Sequence, residues 1–249
     1  MGLIKSIKKR YNWILKVQFD KISGFYFYKR FNQTIFIRHP RHFLGKKENE
    51  WLCEKIFYHY YLPHSNDTVV DVGAGYGEEA IYLASKSPDI RFVGVEAQPS
   101  IYECLSNTLY NLHLNFKAVP YAINDDGSIF LSSHFSYAAV GNNAEGYIEV
   151  PGISWEAFIK KYHLETIDLL KMNIEGAEKA LLSSVTDFAK IKRLIISCHD
   201  FRANSGDGEH YRTKEFVVNV LKQNNYDIKT FDYGRGWSED WIYAEQKNL

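Results

Sequence analysis

Residues 68–77 decide the fold, and they read Thr68-Val69-Val70-Asp71-Val72-Gly73-Ala74-Gly75-Tyr76-Gly77. A short apolar strand ends at three glycines, and a helix predicted over residues 78–85 begins directly after them. Glycine allows a tight turn and a close approach of the backbone to a ligand, and the crevice of an open α/β sheet lies at the carboxyl ends of its strands. We therefore expect a nucleotide site here, with a purely structural turn as the alternative.

Strand and helix patterns alternate around this loop. Strands are predicted over residues 68–72, 91–95, 118–123, 167–172 and 194–198, and helices over residues 78–85, 100–112, 155–162, 177–184 and 214–224. Such alternation is typical of right-handed βαβ units and a parallel sheet, so the fold class is α/β. Residues 227–231 and 241–245 predict an antiparallel pair at the sheet edge. Residues 128–132 and 147–150 predict an insertion of short strands.

The first 47 residues differ from the rest in charge. The 249-residue chain has 30 Lys and Arg and 30 Asp and Glu, yet residues 1–47 hold twelve cations and one acid, Asp20. This arm therefore carries +11, while the remainder, with 18 cations and 29 acids, carries −11. The asymmetry favours an anionic partner such as a membrane surface, a glycolipid or nucleic acid. A basic face packed on the acidic body is the alternative.

We interpret residues 1–47 as a basic N-terminal extension and residues 48–249 as one domain, because no Pro/Gly/Ser-rich linker divides the chain. The sequence of the extension predicts an irregular amphipathic helix over residues 3–19. It also predicts a hairpin formed by residues 25–28 and 34–37. A helix over residues 50–62 should end at Pro63.

Composition narrows the class of protein. A chain with 45% hydrophobic and 24% charged residues is globular, which excludes collagen and intrinsic disorder. Cys53, Cys104 and Cys198 are widely spaced and predict neither a disulfide framework nor a zinc site, which favours the cytoplasm. The apolar stretches are too short for a signal peptide or a transmembrane helix, so we expect a soluble or peripheral protein.

Glu96 ends the second predicted strand, 19 residues beyond Gly77. A carboxylate there can accept hydrogen bonds from both hydroxyls of a ribose. The glycine spacing is G-x-G-x-G, whereas dinucleotide binders use G-x-G-x-x-G to bring pyrophosphate to a helix N-terminus, where Glu78 would here repel it. A ribose without pyrophosphate indicates S-adenosylmethionine.

A second stretch makes the interpretation more specific: Ile167-Asp168-Leu169-Leu170-Lys171-Met172-Asn173-Ile174-Glu175-Gly176-Ala177-Glu178. It resembles the K-x-D-x-E-G-x-E signature of the FkbM family of class I S-adenosylmethionine-dependent methyltransferases. Together with residues 71–77, 95–99 and 122–127, the resemblance covers about residues 65–200. The chain departs from the family at Asn173, where Asp is usual, at Gly75, where Asn is frequent, and at residues 97–99. The missing acid counts against position 173 as a base or metal ligand.

The resemblance implies a Rossmann-like class I methyltransferase fold with a mostly parallel seven-stranded sheet and an antiparallel edge strand. It places the methionine end of the cofactor on residues 71–77, its ribose at Glu96 and its adenine near Asn124. The implied cofactor-binding residues are Asp71, Gly73, Ala74, Gly75, Tyr76, Gly77, Glu96, Ala97, Asn124 and Asn173. It also implies that Asn173, Glu175 and Glu178 face the methyl group, with Glu178 on the substrate side.

Transfer of a sulfonium methyl group requires an aligned nucleophile and removal of its proton. The candidate bases are His199, which titrates near neutral pH and which Asp200 could orient, and Glu175. His199 and Asp200 could instead be structural caps. These groups and Glu178 could also gather a divalent ion, but no spacing indicates a metal site.

Two loops complete the predicted site. Arg235 and Trp237 suit stacking on a sugar ring and pairing with an acidic group, although a plain surface hairpin fits equally well. Residues 205–208 could form a lid.

The reaction expected from the resemblance is O-methylation of a sugar hydroxyl in a surface glycan, glycolipid or glycosylated natural product. A nucleic-acid methyltransferase is the first alternative because of the basic extension, although the Asn173 loop lacks the Pro-Pro-aromatic run of many base-methylating enzymes. Other small-molecule acceptors, or a cofactor-binding module without catalysis, are the remaining alternatives.

Overall fold

The computed structural model describes residues 16–112, 115–124, 127–132, 140–141 and 147–249. Most of the helix expected over residues 3–19 lies outside the described residues. Its last two positions belong instead to a short strand, β1 (Gln18–Phe19), which pairs with β2 (Tyr26–Arg30), and β2 pairs with β3 (Gln33–Ile37). The predicted hairpin is therefore confirmed and has one strand more.

Within the described residues, seven strands form the central sheet. Three of them precede the insertion: β4 (Thr68–Val72), β5 (Arg91–Val95) and β6 (Phe116–Val119). Four follow it: β11 (Leu169–Met172), β12 (Arg193–Ser197), β13 (Tyr226–Thr230) and β14 (Trp241–Gln246). Their order across the sheet is β13-β14-β12-β11-β4-β5-β6. The five strands from β12 to β6 are parallel, whereas β14 is antiparallel to both β12 and β13. The predicted mostly parallel sheet with an antiparallel edge is confirmed.

The insertion forms a second sheet of β7 (Ala122–Ile123), β8 (Ser128–Ser132), β9 (Val140–Gly141) and β10 (Tyr147–Ile153). This arrangement corrects the strand predicted over residues 118–123. The chain leaves the central sheet after Val119, and β7 pairs with β10 instead. Asn124 consequently follows a strand of the second sheet and not the third central strand, and the adenine expected beside it stays a prediction.

Seven α-helices are described: α1 (Lys46–Leu52), α2 (Glu78–Lys86), α3 (Pro99–Tyr110), α4 (Trp155–Lys161), α5 (Glu178–Ser184), α6 (Asp200–Asn204) and α7 (Lys214–Gln223). Side-chain caps fix two of their starts, since Gln98 accepts from the N–H of Ser100 and Ser154 accepts from the N–H of Ala157. The helix predicted over residues 50–62 begins and ends earlier. A π turn over Cys53–Phe57 widens its end and buries Cys53, and the helix stops there.

Hydrophobic clusters cover both faces of the central sheet. Strand β4 contributes Val70 and Val72 to one cluster and Val69 to the other, as expected of a parallel strand buried on both faces. The three cysteines are free and buried. Within the described ranges, no helix has the length and apolar character that a membrane crossing requires.

The N-terminal hairpin packs against α2 and α3. Tyr28, Ile35 and Ile37 share a buried cluster with Ile81. The Tyr28 hydroxyl donates to Glu78 at 2.9 Å, so the carboxylate expected to repel pyrophosphate is committed to the hairpin. The described part of the basic extension is thus tied to the helix that follows the glycine loop.

Candidate active site

The loops after β4, β5, β11 and β12 meet at one edge of the sheet, because these strands are parallel. Backbone hydrogen bonds join them. Gly73 and Ala74 donate to the carbonyl of Val95 at 2.9 and 3.1 Å, and Asn173 donates to the carbonyl of Val72 at 3.0 Å. The residues predicted at 71–77, 96–97 and 173–178 are therefore brought to the same edge.

The three glycines of the first loop have different tasks, although all have a positive φ. A Cβ at Gly73 would lie 2.2 Å from the carbonyl oxygen of Asn173, and a Cβ at Gly77 would lie 3.0 Å from Leu105. A Cβ at Gly75 would meet no heavy atom within 4 Å. Gly73 and Gly77 thus allow close packing within the protein, while Gly75 leaves its backbone open to a ligand.

Glu96 is buried beside this open position. Its two carboxylate oxygens accept from the N–H groups of Gln98 at 2.8 Å and of Gly75 at 3.2 Å. Burial raises the pKa of Glu96 to about 7 against the effect of these hydrogen bonds. Each oxygen keeps a further lone pair, so a ribose diol lying over Gly75 fits this carboxylate.

A buried ion pair lies beneath the loop. Lys171 Nζ is 2.9 Å from Asp71 Oδ1 and 4.0 Å from Glu79 Oε1. The other oxygen of Asp71 has no partner among the described residues, as expected of an atom that a bound cofactor would meet directly or through water. Burial lowers the pKa of Lys171, but the neighbouring acids outweigh it and raise the value. Sequence reasoning gave Lys171 no role, although it is the first residue of the family signature.

Three other predicted cofactor residues make contacts within the protein. Tyr76 stacks on the ring of His42, and its hydroxyl lies 2.7 Å from His42 Nδ1. Ala97 packs on the apolar cluster of the second sheet. The N–H of Asn124 donates to the carbonyl of Ile153 at 3.0 Å. The side chains of Tyr76 and Ala97 thus pack within the protein, and the roles of the three residues toward the cofactor stay predictions.

The loops after β11 and β12 hold a charged cluster around His199. His199 Nδ1 lies 3.0 Å from Glu178 Oε1, and Nε2 lies 3.4 Å from Glu175 Oε1. Arg202 Nη1 lies 2.5 Å from the other oxygen of Glu175, and Arg202 Nε lies 2.9 Å from Asp207. The predicted lid residue Asp207 thus belongs to the same network. Glu175 and His199 both have left-handed backbones, with φ of 54° and 56°.

The charges of this cluster oppose the expected role of His199. Burial lowers the pKa of His199, but the hydrogen bonds and charges of Glu175 and Glu178 outweigh it and raise the value to about 9. The imidazole is therefore protonated at neutral pH and is no proton acceptor there. Burial likewise raises the pKa of Glu175, but His199 and Arg202 prevail and lower it, so Glu175 is ionised.

Exposure separates the two glutamates. The side chain of Glu178 is 0% exposed and that of Glu175 is 13% exposed. The expectation that Glu178 touches the substrate is corrected, because its carboxylate is enclosed and orients His199.

The expectation that Asp200 orients His199 is corrected too. Its Oδ1 accepts from the N–H groups of Thr213 and Lys214, both at 2.9 Å, so Asp200 caps α7 and leaves the orientation of His199 to the glutamates.

Arg235 and Trp237 lie in the β13–β14 loop, at the same edge of the sheet. Both contact Trp51, whose ring lies 4.1 Å from the Arg235 guanidinium carbon and 6.1 Å from the Trp237 ring. Tyr233 packs on the same ring. Sequence reasoning missed Trp51, because nothing local connects a helix at residue 51 with a loop at residue 235. Among the described residues, no group of His, Cys, Asp and Glu is arranged to hold a metal ion.

Comparison with known families decides the class of enzyme. The model of the methyltransferase FkbM domain matches residues 71–228, which is more than half of the chain. The chain belongs to this family. It is an S-adenosylmethionine-dependent methyltransferase, and the open Gly75, the Glu96 carboxylate and the unpartnered Asp71 oxygen fit that cofactor.

Several solved methyltransferases are similar to this chain at low sequence identity. Fibrillarin from Aeropyrum pernix with bound S-adenosyl-L-methionine is 15% identical, over 90% of this chain and 84% of that chain, with a TM-score of 0.44. Precorrin-6y C5,15-methyltransferase from Geobacter metallireducens is 11% identical, over 82% and 91%, with a TM-score of 0.45. A methyltransferase of Podospora anserina bound to S-adenosylhomocysteine is 10% identical, over 73% and 72%, with a TM-score of 0.47. No curated protein matches the sequence significantly.

Proposed function

We propose that this FkbM methyltransferase transfers a methyl group to a hydroxyl of a sugar, in a surface glycan, a glycolipid or a glycosylated natural product. One observation carries the proposal of hydroxyl chemistry. Glu175 is an ionised carboxylate with an accessible edge, and His199 and Arg202 fix it at the carboxyl end of β11. The sugar as acceptor class rests on the resemblance to the family.

The proposed reaction is an in-line displacement. The bound cofactor supplies an electrophilic sulfonium methyl group. The acceptor hydroxyl oxygen forms the new C–O bond as the S–CH₃ bond breaks, and its proton passes to the carboxylate of Glu175. The products are a methyl ether and S-adenosylhomocysteine. Since removal of the proton accompanies an easy displacement, the main task of the protein is alignment.

His199 and Arg202 act as positioning residues in this scheme. Each holds one oxygen of Glu175, at 3.4 and 2.5 Å, which fixes the plane of the carboxylate. Two positive partners also keep Glu175 ionised before the acceptor binds. Glu178 supports the arrangement from below by holding the imidazolium.

The β13–β14 loop supports a sugar acceptor that carries an acidic group. Trp51, Trp237 and Tyr233 offer aromatic faces, and Arg235 adds a cation to the same cluster. Aromatic rings stack on the apolar faces of sugars, and a guanidinium pairs with a carboxylate or phosphate.

The experiment is transfer of label from methyl-tritiated S-adenosylmethionine to three acceptor pools: neutral and acidic hexosides, total transfer RNA, and small phenolic compounds. The proposal requires label in the hexoside pool that survives mild base, as a methyl ether does, and that is lost in Glu175→Gln. Glu209→Gln is the matched control, because Glu209 is an exposed acid that pairs only with Arg212 among the described residues. Label confined to RNA or to phenols would contradict the sugar acceptor.

We also infer that the basic extension brings the enzyme to an anionic membrane surface or glycolipid from the cytoplasmic side. The charge of +11 on residues 1–47 supports this inference, as do two exposed apolar side chains on the described part, Phe19 at 52% and Ile22 at 98%. Replacing Lys8, Lys9 and Arg10 by Gln should weaken co-sedimentation with anionic vesicles at low salt. Unchanged co-sedimentation would contradict the inference.

A further inference from the structure

A cavity of about 390 Å³ lies at the hairpin, and one of its lining residues, Tyr28, donates to Glu78 at the start of α2. Four cations line it, and they come from three segments of the chain: Lys16 before β1, Lys29 and Arg30 at the end of β2, and Lys46 at the start of α1. The remaining lining is Gln18 and aromatic rings, with no carboxylate.

The positive charge of this cavity is not neutralised within the described part of the chain. Lys29 donates to the hydroxyl of Thr34 and pairs with no acid there, and Lys16 has no ion pair there either. Lys46 is 61% exposed and has one acid, Glu50, at 3.6 Å on the adjacent turn of its own helix. The described residues thus leave most of the positive charge around this cavity without an acidic partner.

Arg30 is the buried member of the set, at 4% exposure. Its Nη2 donates to the carbonyl of Leu44, and its guanidinium lies 5.2 Å from the ring centre of Tyr28. Its Nη1 has no partner among the described residues. Glu78 influences Arg30 electrostatically, but its carboxylate accepts from Tyr28. A buried guanidinium with an unused donor is costly and is relieved by an acceptor oxygen.

We propose that this cavity binds a phosphate group. A phosphate brings up to two negative charges and several acceptor oxygens, which suits one guanidinium and three ammonium groups better than a single carboxylate does. This proposal names phosphate as the anionic group that the basic extension binds. It therefore adds to the membrane contact inferred above. It does not depend on the methyl acceptor or on the reaction.

Two sources offer this chemistry, a lipid headgroup and a soluble phosphate ester. The exposed Ile22 lies at the β1–β2 turn, outside the cavity lining. Its contact with acyl chains would strengthen binding to a bilayer and leave binding of a soluble phosphate unchanged. Ile22→Asp therefore separates the two sources.

The test uses the full chain with inorganic pyrophosphate in calorimetry and with vesicles of phosphatidylcholine containing phosphatidylglycerol in co-sedimentation. The triple variant Lys16→Gln, Lys29→Gln, Lys46→Gln leaves the buried Arg30 in place. Its control is Lys21→Gln, Lys47→Gln, two exposed lysines of the same extension outside the cavity. The affinity for S-adenosylhomocysteine, measured in parallel, reports whether each variant is folded and keeps failure of this site separate from failure of the enzyme.

We expect the triple variant to lose at least about tenfold in affinity for pyrophosphate, and the control to stay within about twofold. If Ile22→Asp then loses vesicle binding but keeps pyrophosphate, the source is a lipid headgroup. If pyrophosphate binds and vesicles do not, it is a soluble ester. Absence of pyrophosphate and vesicle binding in the wild type, or equal losses in the triple variant and the control, would overturn the proposal.

Discussion

The two halves of the proposed site, one assigned here to the cofactor and the other to the acceptor, are built differently. The loops after β4 and β5 form the cofactor half from backbone groups and one carboxylate, Glu96, held by two N–H groups. The loops after β11 and β12 form the acceptor half from charged side chains, with His199 between Glu175 and Glu178. In the first half, backbone groups define the shape that a ligand meets. In the second half, charged side chains hold the Glu175 carboxylate in place.

The difference extends to the backbone. In the cofactor half the positive φ values belong to glycines, which adopt them without strain. In the acceptor half Glu175 and His199 themselves adopt left-handed conformations, which cost free energy in residues with a Cβ. Five other described residues with a Cβ, among them Phe31 and His163, also have a positive φ, but only Glu175 and His199 combine it with a place in the charged cluster.

The largest effect should come from the acceptor half. Glu175→Gln removes the proton acceptor and keeps its shape, so kcat should fall by about 10²–10⁴-fold while the affinity for S-adenosylhomocysteine stays unchanged. Single-turnover methyl transfer and calorimetry on the same protein provide the check. A normal rate would exclude Glu175 as the base.

Within the cofactor half, Gly73 and Gly75 should respond in opposite ways. Gly73→Ala places a Cβ against the Asn173 carbonyl at φ +79° and should lower the free energy of unfolding by roughly 2–4 kcal/mol. Gly75→Ala meets open space and should cost about 1 kcal/mol of stability but weaken cofactor binding. Urea unfolding and calorimetry measure the two quantities. Equal losses of stability would refute the division of tasks between the glycines.

The imidazolium of His199 should make stability depend on pH. Its pKa of about 9 lies above the ordinary value of 6.5, so its contribution is complete below pH 6.5 and disappears as the pH rises through 9. Between pH 7 and 9.5 the free energy of unfolding should fall by about 2–3 kcal/mol more in the wild type than in His199→Gln. NMR titration of the ring gives the pKa directly, and a value near 6.5 would contradict the charged cluster.

Glu96 should give the smallest effect, a pH dependence of cofactor affinity. Its direction is opposite to that of His199, because the affinity weakens as the pH falls. The Glu96 pKa of about 7 means that the carboxylate is partly protonated at neutral pH. The ionised form accepts from both hydroxyls of a ribose diol, whereas in the protonated form one oxygen has become a donor. The affinity for S-adenosylhomocysteine should therefore weaken by up to about tenfold per pH unit below 7 in the wild type and stay nearly flat in Glu96→Gln. Matching pH profiles would remove Glu96 from the ribose.

The sequence was informative where the site is local in the chain. Residues 71–77 and Glu96 follow consecutive strands, so strand order alone brings them together. The central sheet and its edge pair were predicted, and so were two of the four strands of the second sheet, β8 and β10. The acceptor half was harder, because the roles of Glu178 and Asp200 depend on which direction each side chain takes after its strand. The Arg235–Trp51 contact joins residues far apart in the chain and has no local signal.

The most direct test is a calorimetric titration of the wild type, Glu96→Ala and Glu175→Gln with S-adenosylhomocysteine and, in parallel, with NAD. We expect the wild type and Glu175→Gln to bind S-adenosylhomocysteine equally, Glu96→Ala to bind at least about tenfold more weakly, and no variant to bind NAD. Binding of NAD, or an adenosyl affinity that Glu175→Gln lowers and Glu96→Ala does not, would contradict the assignment of the cofactor to the first half and of the proton to the second.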